Sequence, residues 1–201
     1  MRYSKEHQEK TKLSILNAAL LKFRTEGYNG IGVDGISKEA GVTSGAFYKH
    51  FESKSEAFRN VVSEGLSALR MGLVINQQIH GRNWLNTFMK WYFSFPDSEV
   101  EAGERRPLPM EGGCALTTLS PEVARTDPET QHIFEQELGQ IADVLAAGLP
   151  KGLVRKRKVS WAVLSLMVGG VVLARSVNDD KTAQDISTSV LAAIRKITQQ
   201  P

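Results

Sequence analysis

Apolar residues recur along the chain at the three- or four-residue spacing of α-helices, and no stretch alternates long enough to predict a sheet. One apolar stripe predicts a first helix over 5–26, which Gly27 is expected to end. A short second helix is predicted to stop at Gly41. A third follows at once, with Thr43 as its N-cap and with two phenylalanines on its apolar side. The N-terminal part of the chain therefore predicts three short helices.

Longer helices are predicted downstream, and local signals mark their ends. Ser53 and Glu56 have the spacing of a capping box, in which each side chain bonds the other's free backbone amide. Asp127-Pro128 is typical of a cap followed by proline at the first helical position, and Ser120-Pro121 has the same form. The predicted segments are 54–79, 83–95, a helix that opens at 120, 127–148, 159–178 and 182–199, with a loop rich in proline and glycine at 96–113.

This pattern predicts an all-α fold, with a three-helix N-terminal head at 1–53 and a larger helical body at 54–201. The 201 residues are 41% hydrophobic and 23% charged, values typical of a folded globular chain.

The single cysteine, Cys114, excludes an intrachain disulfide and suits a reducing compartment. The longest apolar run, 159–174, is shorter than the ~20 residues that a bilayer span requires, and the N-terminus lacks a signal-peptide core. We therefore expect a cytoplasmic protein without a membrane segment.

The formal net charge of +3 is carried entirely by the N-terminal residues. Residues 1–60 hold ten Lys/Arg against seven Asp/Glu, whereas residues 61–201 hold fifteen of each. Positive charge on the predicted head favours a polyanion such as nucleic acid as partner. The alternative is that these charges belong to an ordinary solvated surface, which often carries a similar excess of positive charge.

The second and third predicted helices meet across a short glycine-containing turn, in the sequence GVTSGAFYKHF at 41–51. This arrangement is typical of a helix-turn-helix, whose second helix lies in the DNA major groove. Hydroxyls and free amides at a helix N-terminus favour phosphate, and phenol, ammonium and imidazole groups donate to phosphates or base edges. The candidate DNA-binding residues are Thr43, Ser44, Gly45, Tyr48, Lys49, His50 and Lys54. A short core helix with a solvated polar face is the alternative.

The head resembles the DNA-binding domain of the TetR family of transcriptional repressors between residues 13 and 58. The resemblance is carried by Ile15, Ala18, Ala19, Phe23, Gly27, Tyr28, Val33, Ile36, Ala40, Gly41, Val42, Gly45, Phe47, Tyr48, His50, Phe51, Lys54 and Glu56. The sequence departs from the family at Gly32, where threonine or serine often caps the second helix, and at Asp34, an acid near the expected DNA side. These departures bear on the operator sequence more than on DNA binding itself.

The resemblance implies a homodimeric repressor that binds a roughly palindromic, double-stranded DNA operator through residues 44–50 of each copy. Activation in place of repression is the alternative. Three segments of the body resemble one branch of the family: 112–123, 168–179 and 186–197.

The last two helices of this family pair with their twins to form the dimer. The candidate interface residues are Leu164, Val168, Val171, Ile186, Val190, Leu191 and Ile194. Independently of the resemblance, 159–174 is apolar almost all round, and Gly169-Gly170 permits close helix approach. A buried core helix without dimerisation is the alternative.

The middle helices of the family enclose a ligand pocket, and the fifth predicted helix of this chain carries an aromatic stripe. The candidate pocket residues are Trp84, Phe88, Trp91, Tyr92, Cys114, Phe134, Leu138, Ile141 and Met167, with Phe95 at the end of the stripe. Because charged residues are sparse on these faces, the expected effector is a small, mostly apolar or aromatic molecule. The alternative is that the rings only fill the core.

Other chemistry finds little support in the sequence. The four histidines have no metal-ligand spacing and no nucleophile stands beside an evident base, so no metal site, cofactor or enzyme is predicted. The rivals are a helical enzyme that uses Cys114 as nucleophile and a helical partner-binding protein that has lost DNA binding. Cys114 is interpreted as a small apolar filler, with a thiol sensor as the alternative. The basic run at 155–158 is interpreted as a solvated junction instead of a second anion site.

Overall fold

The chain folds into a succession of helices. In the computed structural model, the structure describes residues 5–93 and 113–199, and no strand occurs among them. Its helices are α1 (Lys5–Gly30), α2 (Val33–Glu39), α3 (Ser44–Phe47), α4 (Lys54–His80), α5 (Trp84–Tyr92), α6 (Ala115–Val123), α7 (Pro128–Gly148), α8 (Lys156–Ser176) and α9 (Asp180–Gln199), with a 3₁₀ turn at Gly81–Asn83. The all-α prediction is confirmed. Phe95 and most of the predicted loop at 96–113 lie outside the described residues.

The helices α1 to α3 enclose a small aromatic core that also takes in the start of α4. Phe47 and Phe51 are buried, and Phe23 meets Phe58 of α4 edge to face, with ring centroids 5.0 Å apart. Edge-to-face pairs of this kind add to the hydrophobic burial of the rings. α1 changes direction at Gly27, whose φ of 75° strongly favours glycine, so its straight part ends where the sequence predicts.

The helix α4 links the head to the body. Its buried residues extend from Ala57, in its first turn, to Leu73, and it packs against α1, α5, α6 and α7. At its start the Ser53 hydroxyl accepts a hydrogen bond from the Glu56 N–H at 3.1 Å. The Glu56 carboxylate accepts from the Glu52 N–H at 2.6 Å, one residue earlier than in the predicted capping box. Both amides lie where the helix itself offers no partner.

The helices α7, α8 and α9 complete the body. Asp127 caps α7 by accepting a hydrogen bond from the Thr130 N–H at 2.9 Å, as the Asp-Pro signal predicts. α8 packs against α7 and α9. By length and composition α8 would also cross a membrane, but the core helix of a soluble protein meets the same criteria. Val163 and Met167 of α8 are fully buried within the protein, as in such a core helix.

The predicted helix start at Ser120-Pro121 is wrong. α6 begins after Cys114, and Pro121 lies inside the helix near its end. The start of α6 is buried against α4. The two helices approach closely because Gly65 of α4 has no side chain: a Cβ added at Gly65 would lie 2.5 Å from the Ala115 Cβ. Tertiary burial of this apolar stretch therefore outweighs the local proline signal.

Candidate nucleic-acid interface and internal cavities

The turn between α2 and α3 depends on two residues with special backbone roles. Gly41 has a φ of 68°; its N–H donates to the Lys38 carbonyl at 3.2 Å, and the Val42 N–H donates to the Ser37 carbonyl at 2.9 Å. This pair of bonds is the Schellman arrangement, whose left-handed residue is usually glycine. Thr43 then caps α3 through a hydrogen bond that its hydroxyl accepts at 3.2 Å. α2 and α3 form the predicted helix-turn-helix.

Side chains from α1 and α4 hold this unit in the head. The Ser14 hydroxyl donates to the Ala40 carbonyl at 3.1 Å. The Lys54 Nζ donates to the carbonyls of Tyr28 at 2.9 Å and Ile31 at 3.2 Å, and it lies 4.4 Å from the centre of the Tyr28 ring. Lys54 therefore fastens the start of α4 to the connection between α1 and α2 through hydrogen bonds and a cation–π contact. The sequence pattern did not predict this structural role.

The candidate DNA-binding residues between 43 and 50 form one continuous segment of the head. Tyr48 projects furthest, with 57% of its surface exposed, and its ring packs edge-on against Phe47 at 5.5 Å. The other candidates in this segment divide into exposed and half-buried residues, Thr43, Gly45 and Lys49 being exposed and Ser44 and His50 half-buried. Hydroxyl, phenol, ammonium and imidazole groups are thus presented together.

An acid and a histidine modify the charge of this segment. The Ser44 hydroxyl donates to Asp34 Oδ1 at 2.6 Å, so the carboxylate ties α2 to the start of α3. Burial lowers the pKa of His50, and the positive charges of Lys12 and Lys49 lower it further. The imidazole is therefore neutral near pH 7 when no anion is bound.

A cavity of about 430 Å³, here called the first cavity, lies between the head and the body. α1, α4 and α5 supply most of its wall, and the start of α6 closes one side. Four of the candidate pocket residues line it: Phe88, Trp91, Tyr92 and Cys114. The rings of Phe88 and Tyr92 are stacked with their centroids 5.7 Å apart.

The other five candidate pocket residues lie away from the first cavity. Trp84, at the start of α5, is buried, and its Nε1–H donates to the Gly148 carbonyl at 2.8 Å. The remaining four belong to the hydrophobic core or pack against it: Phe134, Leu138, Ile141 and Met167. Their described surroundings are those of side chains that fill the core.

Two arginines that the aromatic pattern did not indicate also line the first cavity. Arg24 comes from α1 and Arg175 from the last turn of α8, and Glu64 of α4 adds one acid. Burial lowers the pKa of both guanidinium groups, and the charge of Arg175 further lowers that of Arg24. Arg175 is the only charged residue between 159 and 177, a signal in the sequence that could have identified it.

The polar groups on this wall are closely placed. Arg175 Nη1 donates to Thr117 Oγ1 at 3.1 Å, and the guanidinium lies against Gly113, where an added Cβ would be 2.6 Å from Nη2. Burial raises the pKa of the Tyr92 phenol well above its ordinary value; the adjacent Cys114 thiol raises it further, and Arg175 partly opposes this. The phenol is a neutral donor, and its oxygen makes no hydrogen bond of ordinary geometry with any described residue.

A second cavity, of about 820 Å³, lies between the start of α5, the end of α7 and α9. Its wall includes Arg82, Lys151 and Arg195, and Arg195 Nε donates to Asn86 Oδ1 at 3.1 Å. No described residue of α1, α2 or α3 lines it. Although the second cavity is larger, the first is the better candidate for a site that acts on the head, because α1 forms part of its wall.

Four candidate dimer residues are enclosed within the single chain. The buried ones are Leu164, Val171, Leu191 and Ile194, and the half-buried ones are Val168, Ile186 and Val190. α8 and α9 pack closely here because Gly170 has no side chain; an added Cβ would lie 2.9 Å from Val190 Cγ2. Val172 and Leu173 of α8 are instead 40% and 58% exposed. The exposed apolar surface of α8 therefore includes residues beside the predicted ones.

Two remaining questions from the sequence concern metal ligands and the thiol of Cys114. Within 5–93 and 113–199, no group of three or more His, Cys, Asp or Glu side chains is placed to hold a metal ion. Cys114 is a free, half-buried cysteine that occupies the N-cap of α6. Its carbonyl accepts hydrogen bonds from the first turn of that helix.

The head matches a known sequence family. Residues 15–61 fit the profile of the bacterial regulatory proteins of the tetR family. Over 60 residues the chain is 38% identical to the HTH-type transcriptional regulator AcrR of Shigella flexneri, a match that covers 30% of this chain and 28% of that protein. The similar segment thus spans less than a third of the relative. Both the family and this relative are regulators and not enzymes.

Solved structures extend the likeness to nearly the whole chain. The reduced form of NemR from E. coli has a TM-score of 0.76 at 16% identity, with 95% of this chain and 99% of the NemR chain covered. A TetR-family transcriptional regulator from Agrobacterium tumefaciens has a TM-score of 0.74 at 18% identity, with 93% and 98% covered. At such low identity the likeness shows the fold alone.

Proposed function

We propose that the chain is a member of the tetR family of bacterial regulatory proteins, whose profile its residues 15–61 fit. In this proposal it is a cytoplasmic, homodimeric transcriptional repressor that a small ligand releases from its operator. The observation that carries this proposal is the helix-turn-helix of α2 and α3, which exposes Tyr48 and Lys49 on the basic head. Residues 44–50 of each copy would meet the half-sites of a roughly palindromic operator on one face of the duplex.

The DNA-binding role is tested by fluorescence anisotropy with DNA from upstream of the protein's own gene. We expect the logarithm of the binding constant to fall linearly with the logarithm of the salt concentration, and Lys49→Ala to flatten this slope by about one unit. Lys181→Ala, which removes an exposed lysine of α9, is the matched control and should keep the wild-type slope. Equal slopes in the two variants would remove Lys49 from the interface, and salt-independent association would contradict operator binding.

Tyr48 and Lys54 test different parts of the proposed interface. Tyr48→Ala should lower operator affinity while leaving the thermal unfolding temperature near wild type, because the phenol is mostly exposed. Two of the three Lys54 ammonium protons already reach backbone carbonyls, which leaves one for a phosphate. Lys54→Ala should therefore lower both operator affinity and stability. Wild-type operator affinity in both variants would contradict their assignment to the site.

The proposed dimer uses the exposed face of α8 and α9. Leu173→Arg should yield a folded monomer, because a dimer would have to bury the new charge. Val154→Arg is the matched control, since Val154 is 65% exposed but lies outside these helices. Arginine at Val171 or Leu191 is a poorer test, because both side chains lie in the core of the single chain. Sedimentation of the wild type as a monomer at micromolar concentration would contradict the dimer.

We place the effector in the first cavity, because a ligand there would touch the head and the body at once. α6 adds a second connection: it begins at the cavity wall, and its Glu122 Oε2 accepts a hydrogen bond from the Tyr28 N–H of the head at 3.0 Å. The protein has one arrangement that can bind DNA and another that cannot. The ligand must have a higher affinity for the arrangement that cannot bind DNA. A hundredfold preference corresponds to about 2.7 kcal/mol of coupling.

The effector role predicts a separation between DNA binding and ligand response. Trp91→Ala should keep operator affinity and lose the response, because Trp91 lines the first cavity and lies outside the helix-turn-helix. Trp161→Ala, in α8 and away from that cavity, should keep both. An unchanged response of Trp91→Ala in operator titrations would place the effector elsewhere.

A further inference from the structure

We propose that the first cavity binds an amphipathic carboxylate, with its anionic group at Arg24 and Arg175 and its apolar body against the remaining wall. This inference rests on the proposed effector site and deepens it. It also changes the expected ligand, since the sequence predicted a mostly apolar or aromatic molecule.

The charges on the cavity wall favour an anion. Among its described lining residues the cations are Arg24 and Arg175 and the acid is Glu64, so one positive charge is in excess. Both guanidinium groups are half-buried, where charge is screened less than in water. The guanidinium charge of Arg175 would attract a carboxylate on this wall and would repel an ammonium.

Hydrogen-bond donors point to the same class of ligand. Arg175 Nε is buried and has no hydrogen-bond partner among the residues that the structure describes. The Tyr92 side chain is more than nine-tenths buried, and its hydroxyl lies beside the Cys114 thiol, a weak acceptor, without a hydrogen bond of ordinary geometry to any described residue. A buried donor without an acceptor destabilises the protein, and a ligand oxygen would remove that cost. The two oxygens of a carboxylate suit a guanidinium fork and a phenol together.

The rest of the wall suits an apolar body. It is formed mainly by Leu16, Leu20, Val61, Leu69, Phe88 and Trp91. Gly72 of α4 adds open space, since nothing lies within 4 Å of a Cβ added there. A volume of about 430 Å³ falls in the range of small-molecule sites. Aromatic walls also attract ammonium ions, which makes an amine the natural competing class.

The class of ligand is tested by isothermal titration calorimetry of the full chain with ω-phenylalkanoates. The probes are 3-phenylpropionate, 5-phenylpentanoate and 8-phenyloctanoate, each compared with the alcohol and the primary amine of the same length. We expect at least one carboxylate to bind with a Kd at least about tenfold below that of its alcohol, and the amine to bind most weakly. The proposal is overturned if no carboxylate binds with a Kd below about 1 mM, or if alcohols or amines bind as tightly throughout.

Variants locate the carboxylate. Arg175→Gln should raise the Kd of the best carboxylate to that of its alcohol, and Arg175→Lys should restore part of the difference. Arg24→Gln and Tyr92→Phe should raise the Kd of the carboxylate and leave the Kd of the alcohol unchanged. These two variants keep the test valid if Arg175→Gln does not fold. Arg195→Gln, in the wall of the second cavity, is the matched control and should change nothing. Loss of binding in Arg195→Gln alone would place the carboxylate in the second cavity and overturn the proposal.

The two proposals fail in distinguishable ways. If a carboxylate binds as expected but leaves operator affinity unchanged, the ligand class stands and the effector role of the cavity is wrong. If a neutral or cationic compound releases the operator and no carboxylate binds, the effector role stands and the ligand class is wrong.

Discussion

The hydrogen bond between Glu122 of α6 and the Tyr28 N–H joins the body to the head, so Glu122→Ala should both destabilise the protein and weaken its response to ligand. Glu122 Oε2 lies 3.0 Å from the amide nitrogen, and Oε1 lies 3.4 Å from the position that a Cβ would take at Gly27. The backbone at Gly27 leaves the helical path there, so α1 itself offers the Tyr28 amide no replacement.

The size of the effect follows from the charge and burial of this contact. Hydrogen bonds to charged groups contribute about 1.5–3 kcal/mol, and partial solvent access at this half-buried site favours the lower end. With a urea slope of about 2 kcal/mol per molar, a loss of about 1.5 kcal/mol lowers the unfolding midpoint by about 0.8 M. Glu122→Gln keeps a carbonyl acceptor and should lose less than half of this. Glu135→Ala, an exposed glutamate of α7, is the control and should unfold with the wild type.

The same variant tests how ligand binding reaches the DNA-binding head. Operator affinity without ligand should stay within about threefold of wild type, because Glu122 lies outside the helix-turn-helix. The ratio of operator affinities with and without a saturating ligand should fall at least tenfold, a change of about 1.4 kcal/mol in coupling. A wild-type urea midpoint would refute the stabilising contact. An unchanged affinity ratio in a destabilised variant would refute the path through α6.

Three further expectations concern pH and cavity shape. The pKa of Asp127 is lowered from 3.8 to about 2, first by the Ser55 hydroxyl and then by the Thr130 amide; its contribution is therefore present above about pH 4 and lost as pH falls through about 2. Asp127→Asn, which keeps a capping oxygen, should flatten that part of a pH–stability curve. Because the pKa of His50 is lowered from 6.5, operator affinity should rise as the pH falls below about 6.5 and His50 gains a proton; a rise that persists in His50→Gln would exclude it as the cause. Gly72→Leu should fill the first cavity, abolish ligand binding in calorimetry and stabilise α4 by about 1 kcal/mol; undiminished binding would place the ligand elsewhere.

Local signals in the sequence determine the helix-turn-helix. Gly41 ends α2 and Thr43 begins α3 through hydrogen bonds to residues within five positions, so the relevant atoms are close in sequence as well as in space. Asp127 caps α7 in the same way. Because these bonds close small backbone rings, neighbouring residue types are enough to predict them. The family resemblance of the head depends on the same short-range pattern.

Only the tertiary structure decides what surrounds the first cavity. Trp84 and Trp91 share one amphipathic helix, yet Trp84 is buried with a hydrogen bond to Gly148 whereas Trp91 is 60% exposed at the cavity. Arg24 and Arg175 lie in different helices at opposite ends of the sequence, and they become neighbours only when α1, α6 and α8 converge. Helical periodicity specifies which face of each helix is apolar, but it carries no information about which other helix covers that face. The sequence alone therefore determined the helix-turn-helix and the helices with local end signals, whereas helix packing determined the start of α6, the positive charge of the cavity and the burial of most predicted dimer residues.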